Sequence, residues 1–350
     1  MRYHTISAAA SLVVVPAFGH HSDAALDMDT VLTLEGTVTE FSLRNPHAYF
    51  VVVATDENGQ QREWTVQMAS MITLARRGWT RDSLQVGDQV TVNLRPARDG
   101  RPYGLMADVA KDGQVLGTRV PSETQPGYQA TAAAPRATSV EGRWLVDRSS
   151  QPEDYPGGLD QLMLRDLNLT AKGGQGLADW SQASEENPEL NCITKPTPAM
   201  LVYTDLYPIE ITANGDNTLT IRSQYFDQVR TVYMDGRQHP DPSVLMHEGH
   251  SVGHYEADTL VIDTRNFARH RSPYQNGIPS GPQKHVVERY RLIDDGARME
   301  IEFVLEDPEY ISGSMTHKRE LLYRPTTDMS PFNCDLESTR RFLPSNLQGR

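Results

Sequence analysis

Cysteine is almost missing from this chain: two residues in 350, Cys192 and Cys334. No CxxC pair exists, which excludes thioredoxin-type redox chemistry and a cysteine-based zinc site. Basic residues never form a run, and 33 Lys and Arg against 46 Asp and Glu leave a net charge of −13. Sequence-independent binding of DNA or RNA needs a basic face that displaces counterions, so no nucleic-acid partner is expected. Docking on anionic lipid is disfavoured for the same reason. No apolar run reaches the length of about 20 residues that a membrane-spanning helix requires, so no membrane span is expected. A Gly-x-Ser-x-Gly elbow, a P-loop and a dinucleotide fingerprint are all absent. Serine-hydrolase, NTPase and Rossmann readings therefore lack support, and no nucleotide cofactor is expected.

What is present begins at the first residues. Arg2 supplies a positive n-region, Ile6 to Val15 an apolar h-region, and Ala17-Phe18-Gly19 small residues at −3 and −1 of a cleavage site. Residues 1–19 read as a secretory signal, and the expected location is periplasmic or secreted. Cleavage after Gly19 would expose His20-His21, and an N-terminal histidine can chelate a metal through its α-amine and imidazole. The plainer alternative is that cleavage simply falls at a histidine. In an oxidising compartment an isolated cysteine pair is most simply a disulfide. Joining Cys192 to Cys334 closes a loop of about 140 residues, worth about 4–5 kcal/mol in the chain-entropy account. Two unrelated buried thiols are the alternative.

Hydrophobic periodicity divides the chain. Across residues 20–116, VLTLEGTVTEFSL alternates apolar and polar residues, and HAYFVVVATD and QREWTVQM flank an Asn58-Gly59 turn. This is a hairpin signal. MITLARRGW then reads as a short helix, followed by strands at QVTVNLRPA and LMADVAKDG. Three strands, a helix and two strands is the order of a small OB-like barrel. Residues 117–139 lack periodicity and read as a linker. Residues 140–338 form the second domain and residues 339–350 a C-terminal tail. From Pro208 onwards eight strand candidates succeed one another, separated by turns at Asn214-Gly215-Asp216, Asp235-Gly236, Ala257-Asp258 and Asp295-Gly296. Gly142-Arg143-Trp144 resembles the Gly-x-Trp opening of lipocalin-like barrels. The fold class is thus all-β: a small OB-like barrel followed by a larger lipocalin-like antiparallel β-barrel or curved sheet.

Chemistry concentrates in three places. His20, His21 and His47 are candidate ligands for copper or zinc, His47 at the rigid Asn45-Pro46 corner; the alternative is a capped hairpin beside a disordered terminus. Residues 246–256 pack three histidines and two acids, but not at HExxH spacing. On a strand His250, His254 and Glu256 share one face. Asp263 and Arg265 follow on the next strand, and His285, Glu288 and Arg289 on another. If these side chains point into the barrel, His250, His254, Asp263, His285 and Glu288 form His–carboxylate pairs suited to general acid/base catalysis, or equally a metal site. The alternative is an outer surface of solvated charge. Third, the Pro/Gly/Ser-rich loop 265–284, with Tyr274, suits the mouth of a barrel. Tyr255, Glu256, Arg265, Tyr274 and Arg289 are the candidate ligand contacts.

His20-His21-Ser22, Asn45-Pro46-His47, Arg77-Gly78-Trp79 and Val86-Gly87-Asp88 resemble an uncharacterised family of exported bacterial proteins over residues 20–116. The second part resembles another uncharacterised exported β-rich family. Its matching segments are Tyr207-Pro208-Ile209-Glu210, Gln228-Val229-Arg230, Asp235-Gly236-Arg237 with His239-Pro240, 249–256, 258–264 and 285–289, together with the paired cysteines. The resemblance implies an exported two-part protein and supplies no reaction. Two functions remain in view. One is a small-molecule or metal-binding protein with its ligand in the second barrel. The other is a cofactor-free lyase, isomerase or hydrolase working inside that barrel.

Overall fold

The computed structural model describes residues 26–55, 59–116, 134–147, 167–181, 184–202, 204, 206–274 and 277–343. The candidate signal, His20 and His21, and most of the linker lie outside these residues. In the first part the strands are β1 (Leu32–Ser42), β2 (Tyr49–Thr55), β3 (Gln61–Gln67), β4 (Gln89–Pro96), β5 (Tyr103–Lys111) and β6 (Gln114–Leu116), with helix α1 (Met71–Ala75) between β3 and β4. The sheet runs β3-β2-β1-β4-β5-β6, and a parallel β3–β5 pairing (Thr65↔Tyr103) closes its first five strands into a barrel. Alternation drives the closure. Phe50, Val52 and Ala54 of β2 turn inward with Val38, Val66, Val92 and Val109, while Tyr49 and Val51 face out. Ser70 caps α1 by accepting from the Thr73 amide.

The second barrel has nine strands where eight candidates had been expected. They are β7 (Gly142–Val146), β8 (Ile209–Ala213), β9 (Thr218–Ser223), β10 (Val229–Tyr233), β11 (His250–Glu256), β12 (Thr259–Arg265), β13 (His285–Ile293), β14 (Arg298–Glu306) and β15 (Ser314–Tyr323). The extra strand is the Gly-x-Trp segment, with Trp144 fully buried. The barrel closes in the order β10-β11-β12-β13-β14-β15-β7-β8-β9. Every described pairing is antiparallel except β10–β11, which is parallel (Val232↔Ser251) because residues 234–249 carry the chain back along the barrel. Helices α2 (Ala171–Ala178) and α3 (Ala199–Val202) and a 3₁₀ turn at Pro188–Asn191 lie in the irregular stretch before β8. Residues of the expected linker join this part: Ala137 is buried and its amide donates to the Gly296 carbonyl at 2.8 Å.

Cys192 and Cys334 are joined, with their Cα atoms 5.9 Å apart. The bond ties the segment before β8 to the segment after β15. Just beyond it, α4 (Leu336–Arg340) and residues 341–343 leave the second barrel and lie against the first. The two barrels also meet directly: Tyr207 Oη donates to Ser70 Oγ at 3.0 Å, Arg76 donates to the Leu206 carbonyl and to Gln224, and Ile72 joins the second core. No helix among the described residues is long and apolar enough to cross a membrane.

Candidate functional site

Strands β11, β12 and β13 carry most of the candidate residues, and their alternation sorts them onto two faces. The inward set is Ser251 and Gly253, then Leu260, Ile262 and Thr264, then Val286, Glu288 and Tyr290. The outward set is His250, Val252, His254 and Glu256, then Asp263 and Arg265, then His285, Val287 and Arg289. The expectation that His250, His254, Asp263 and His285 point into the barrel is therefore corrected; of the five catalytic candidates, Glu288 alone does. The physical reason is apolar content: the Leu260–Ile262–Val286–Tyr290 parity gains more from burial than the histidine parity.

On the outer wall the structure still joins three of the five. Asp263 bridges two imidazoles, His285 Nε2 at 2.9 Å and His239 Nε2 at 3.0 Å. His239 Nδ1 lies 3.0 Å from His250 Nδ1, and His285 Nδ1 lies 3.3 Å from Glu306 Oε2. Tyr233 stacks on His250 at 5.0 Å, and Arg265 Nε donates to Asp263 at 3.0 Å. Proton accounting follows from the partners. Asp263 only accepts when ionised, so both facing Nε2 atoms carry hydrogens. In the tautomer pair where His250 Nδ1–H donates to His239 Nδ1, His250 Nε2 is the bare nitrogen. Burial, then His239 and Arg237, push the His250 pKa down and favour this neutral form. His285 has carboxylates at both nitrogens, and its hydrogen bond to Asp263 raises its pKa. For Asp263 burial acts upward, but hydrogen bonds from His285 and Arg265 outweigh it and hold the carboxyl well below the usual range. His239 and Glu306 were missed in the sequence, where His239 stood out only within a family-like segment. His254 is apart from this chain of contacts, exposed and 3.2 Å from Glu256, which also takes Arg289 at 2.6 Å. Tyr255 has inward parity but is half-exposed at the far end of β11.

Inside, Glu288 meets Arg230 in a fully buried ion pair, side chains 0% and 1% exposed. Arg230 also reaches Tyr290 Oη at 3.3 Å, while Thr197 Oγ1 and Tyr290 Oη donate to Glu288 Oε1 at 2.9 and 3.1 Å. Lys284 and Tyr274, from the segment between β12 and β13, and Asp307, just after β14, are also buried. Lys284 Nζ lies 4.5 Å from the centre of the Phe267 ring and 5.2 Å from that of Tyr274. Asp307 Oδ2 accepts from the Gly281 amide at 3.1 Å. Among the described residues, Lys284 Nζ, Tyr274 Oη, Ser280 Oγ and Asp307 Oδ1 meet no hydrogen-bond partner. Native interiors hold few such atoms, and each marks strain or a missing partner. Burial lowers the Lys284 pKa against the pull of Asp307, Glu248 and Glu288, and burial raises that of Asp307. Tyr274 is raised well above its ordinary value by burial and by Asp307. Beside them Thr194 collects His247, His270 and Glu248. His270 Nδ1 accepts from the Ser272 amide at 3.2 Å, and burial pushes this imidazole down to about 3, so it stays neutral.

Of the metal candidates only His47 falls among the described residues. Its Nδ1 is 3.2 Å from Gln67 Nε2, and its ring meets Phe342 edge-on. Among the described residues no three or more His, Cys, Asp or Glu side chains group to hold a metal.

Residues 9–107 match a family described as a family of unknown function (DUF6152). No curated protein matches the chain. Among solved structures, the chain is similar to the S. cerevisiae mitochondrial single-stranded DNA binding protein Rim1. That likeness has 12% identity and a TM-score of 0.19, over 24% of this chain and 92% of that one. At this score it carries no argument.

Proposed function

We propose that this is an exported binding protein whose second barrel takes a small, partly apolar carboxylate at the end closed by the 265–284 loop. The observation that carries the reading is the meeting of buried polar atoms without a hydrogen-bond partner among the described residues, Lys284 Nζ, Tyr274 Oη and Asp307 Oδ1, beside the Phe267 and Tyr274 rings. An ammonium and a phenol are donors suited to a carboxylate, and the rings suit an apolar body. The signal-like N-terminus and the Cys192–Cys334 bond support export. Binding an anion favours the charged form of Lys284, so affinity falls as pH rises through the lowered pKa of that amine.

The test is a thermal-shift screen of benzoate, 1-naphthoate and octanoate against the mature protein and its Lys284→Met variant. A ligand at 100 times its Kd stabilises by about 2.7 kcal/mol, a shift of several degrees. A saturable rise in Tm that disappears in Lys284→Met supports the reading. An equal rise in both proteins, or none with any carboxylate, refutes it.

A second reading is favoured by one specific observation, the His250–His239–Asp263–His285–Glu306 chain of contacts. In the tautomer pair with His250 Nδ1–H donating, a bare His250 Nε2 backed by an oriented imidazole and a carboxylate has the form of a general base. Its place on a convex outer wall ranks it below the interior site.

A further inference from the structure

The outer wall of the first barrel holds another site, far in sequence from the one above. Tyr49 and Val51 of β2 and Tyr103 and Leu105 of β5 turn away from the barrel core. They are flanked by the β1–β2 loop with His47 and the β4–β5 loop with Arg101. In OB barrels the face of strands 2 and 3 and the loops after strands 1 and 4 bind ligands, and this wall shares β2 and both of those loops. Here the chain's own C-terminal segment occupies it. Phe342, 7% exposed, stacks on Tyr103 at 5.7 Å and 28° and meets Tyr49 and His47 edge-on at 6.2 and 5.6 Å. Arg101 donates through Nη1 and Nη2 to the carbonyls of Leu343 and Phe342, each at 2.8 Å. The Arg341 guanidinium lies 3.9 Å over Tyr49 and pairs with Glu40 at 3.2 Å. Ser338 Oγ donates to the His47 carbonyl at 2.6 Å and accepts from its amide at 3.3 Å.

These contacts have the character of peptide recognition. One guanidinium grips two main-chain carbonyls, which any sequence offers, and an aromatic anchor and the arginine before it supply the selectivity. The segment is tethered: Cys334 is held by the disulfide, and Phe342 follows eight residues later. A short tether gives an effective concentration in the millimolar range, so the resident segment masks the face. We propose that this wall is a peptide-recognition site, occupied in cis by Arg341-Phe342-Leu343. In exchange it accepts a segment of another protein that presents an arginine followed by an aromatic residue in a helix-ending turn.

The test uses full-length mature protein and a fluorescein-labelled peptide of residues 335–350, read by fluorescence anisotropy. Phe342→Ala removes the resident anchor. The variant should bind the peptide at least about 10-fold more tightly than the unaltered chain. Adding Arg101→Ala, or using a peptide whose own Phe342 is alanine, should weaken that binding at least about 10-fold. Absence of binding to a Phe342→Ala chain with a native far-UV spectrum overturns the proposal, as does indifference to the peptide's phenylalanine. If Phe342→Ala does not fold, tryptic cleavage after Arg340 and Arg341 in Arg101→Gln gives the second readout. Release of the masked segment predicts several-fold faster cleavage than in the unaltered chain, and an unchanged rate overturns the proposal.

Discussion

Replacing Glu288 with alanine leaves the Arg230 guanidinium, 1% exposed, without a counter-charge. What stays within reach is neutral: Tyr290 Oη at 3.3 Å and Thr264 Oγ1 at 3.4 Å. Thr197 Oγ1 loses its acceptor as well. Breaking a buried pair from one side costs about 3–5 kcal/mol, because the remaining ion has lost both water and partner. For a domain of this size 1 kcal/mol moves Tm by about 2–4 °C, so the expected fall is about 6–20 °C. Replacing both members, Arg230→Met with Glu288→Leu, removes the stranded charge and should return stability to within about 2 kcal/mol of the original. Urea unfolding followed by tryptophan fluorescence measures all three proteins. A single substitution costing less than about 1 kcal/mol would show that the charge is compensated elsewhere. A double variant as unstable as the single one would show that hydrogen-bond geometry, rather than isolated charge, is what the barrel cannot lose.

Other outcomes follow from the same structure. Asp263→Asn should lower the His285 pKa, read by NMR titration of its ring protons; an unmoved value would contradict the assignment of the raised pKa to this contact. The folded pKa of His285 is raised, so its contribution is complete below about 6.5 and fades as pH rises through the folded value. That of Asp263 is depressed, so its contribution holds above about 3.8 and fades as pH falls; the pair stabilises most between these limits. Replacing both Cys192 and Cys334 by serine opens a loop with a sequence separation of 142. The expected loss is about 5 kcal/mol by denaturant unfolding, and a loss under about 1 kcal/mol would contradict the loop-entropy account. Gly296→Ala places a Cβ 1.8 Å from the Ala137 carbonyl oxygen at a φ of +81°. It should cost more than about 2 kcal/mol, and a neutral result would mean that residues 134–139 do not pack there.

Both barrels were legible because their strands alternate and their turns carry Asn-Gly and Asp-Gly signals. The five-strand order of the first part followed directly. In the second, the short β7 was visible only through Trp144, and the parallel β10–β11 pair not at all, since nothing in residues 234–249 says which way the chain returns. The candidate site was half legible. Alternation put His250, His254 and Glu256 on one face, but a period of two names faces without saying which is buried. That choice rested on Leu260, Ile262, Val286 and Tyr290 across three strands. Lys284 and Asp307 stand 23 residues apart at two strand ends, and only the sheet register brings them together. The docking of Phe342 on Tyr103 was hidden for the same reason: local patterns carry no information about contacts between opposite ends of a chain.

Closure of both sheets has a bearing on solubility. A free sheet edge is a row of unpaired amides and carbonyls that recruits other chains. Here every strand of the second barrel has two neighbours, and the β3–β5 pairing removes the same hazard from the first. Among the described strands β6 alone has a single neighbour, and its three residues Gln114–Leu116 offer too short a template for sustained intermolecular growth. Folded molecules at high concentration should therefore resist edge-to-edge assembly, and any aggregation should begin from chains whose barrels have not yet closed.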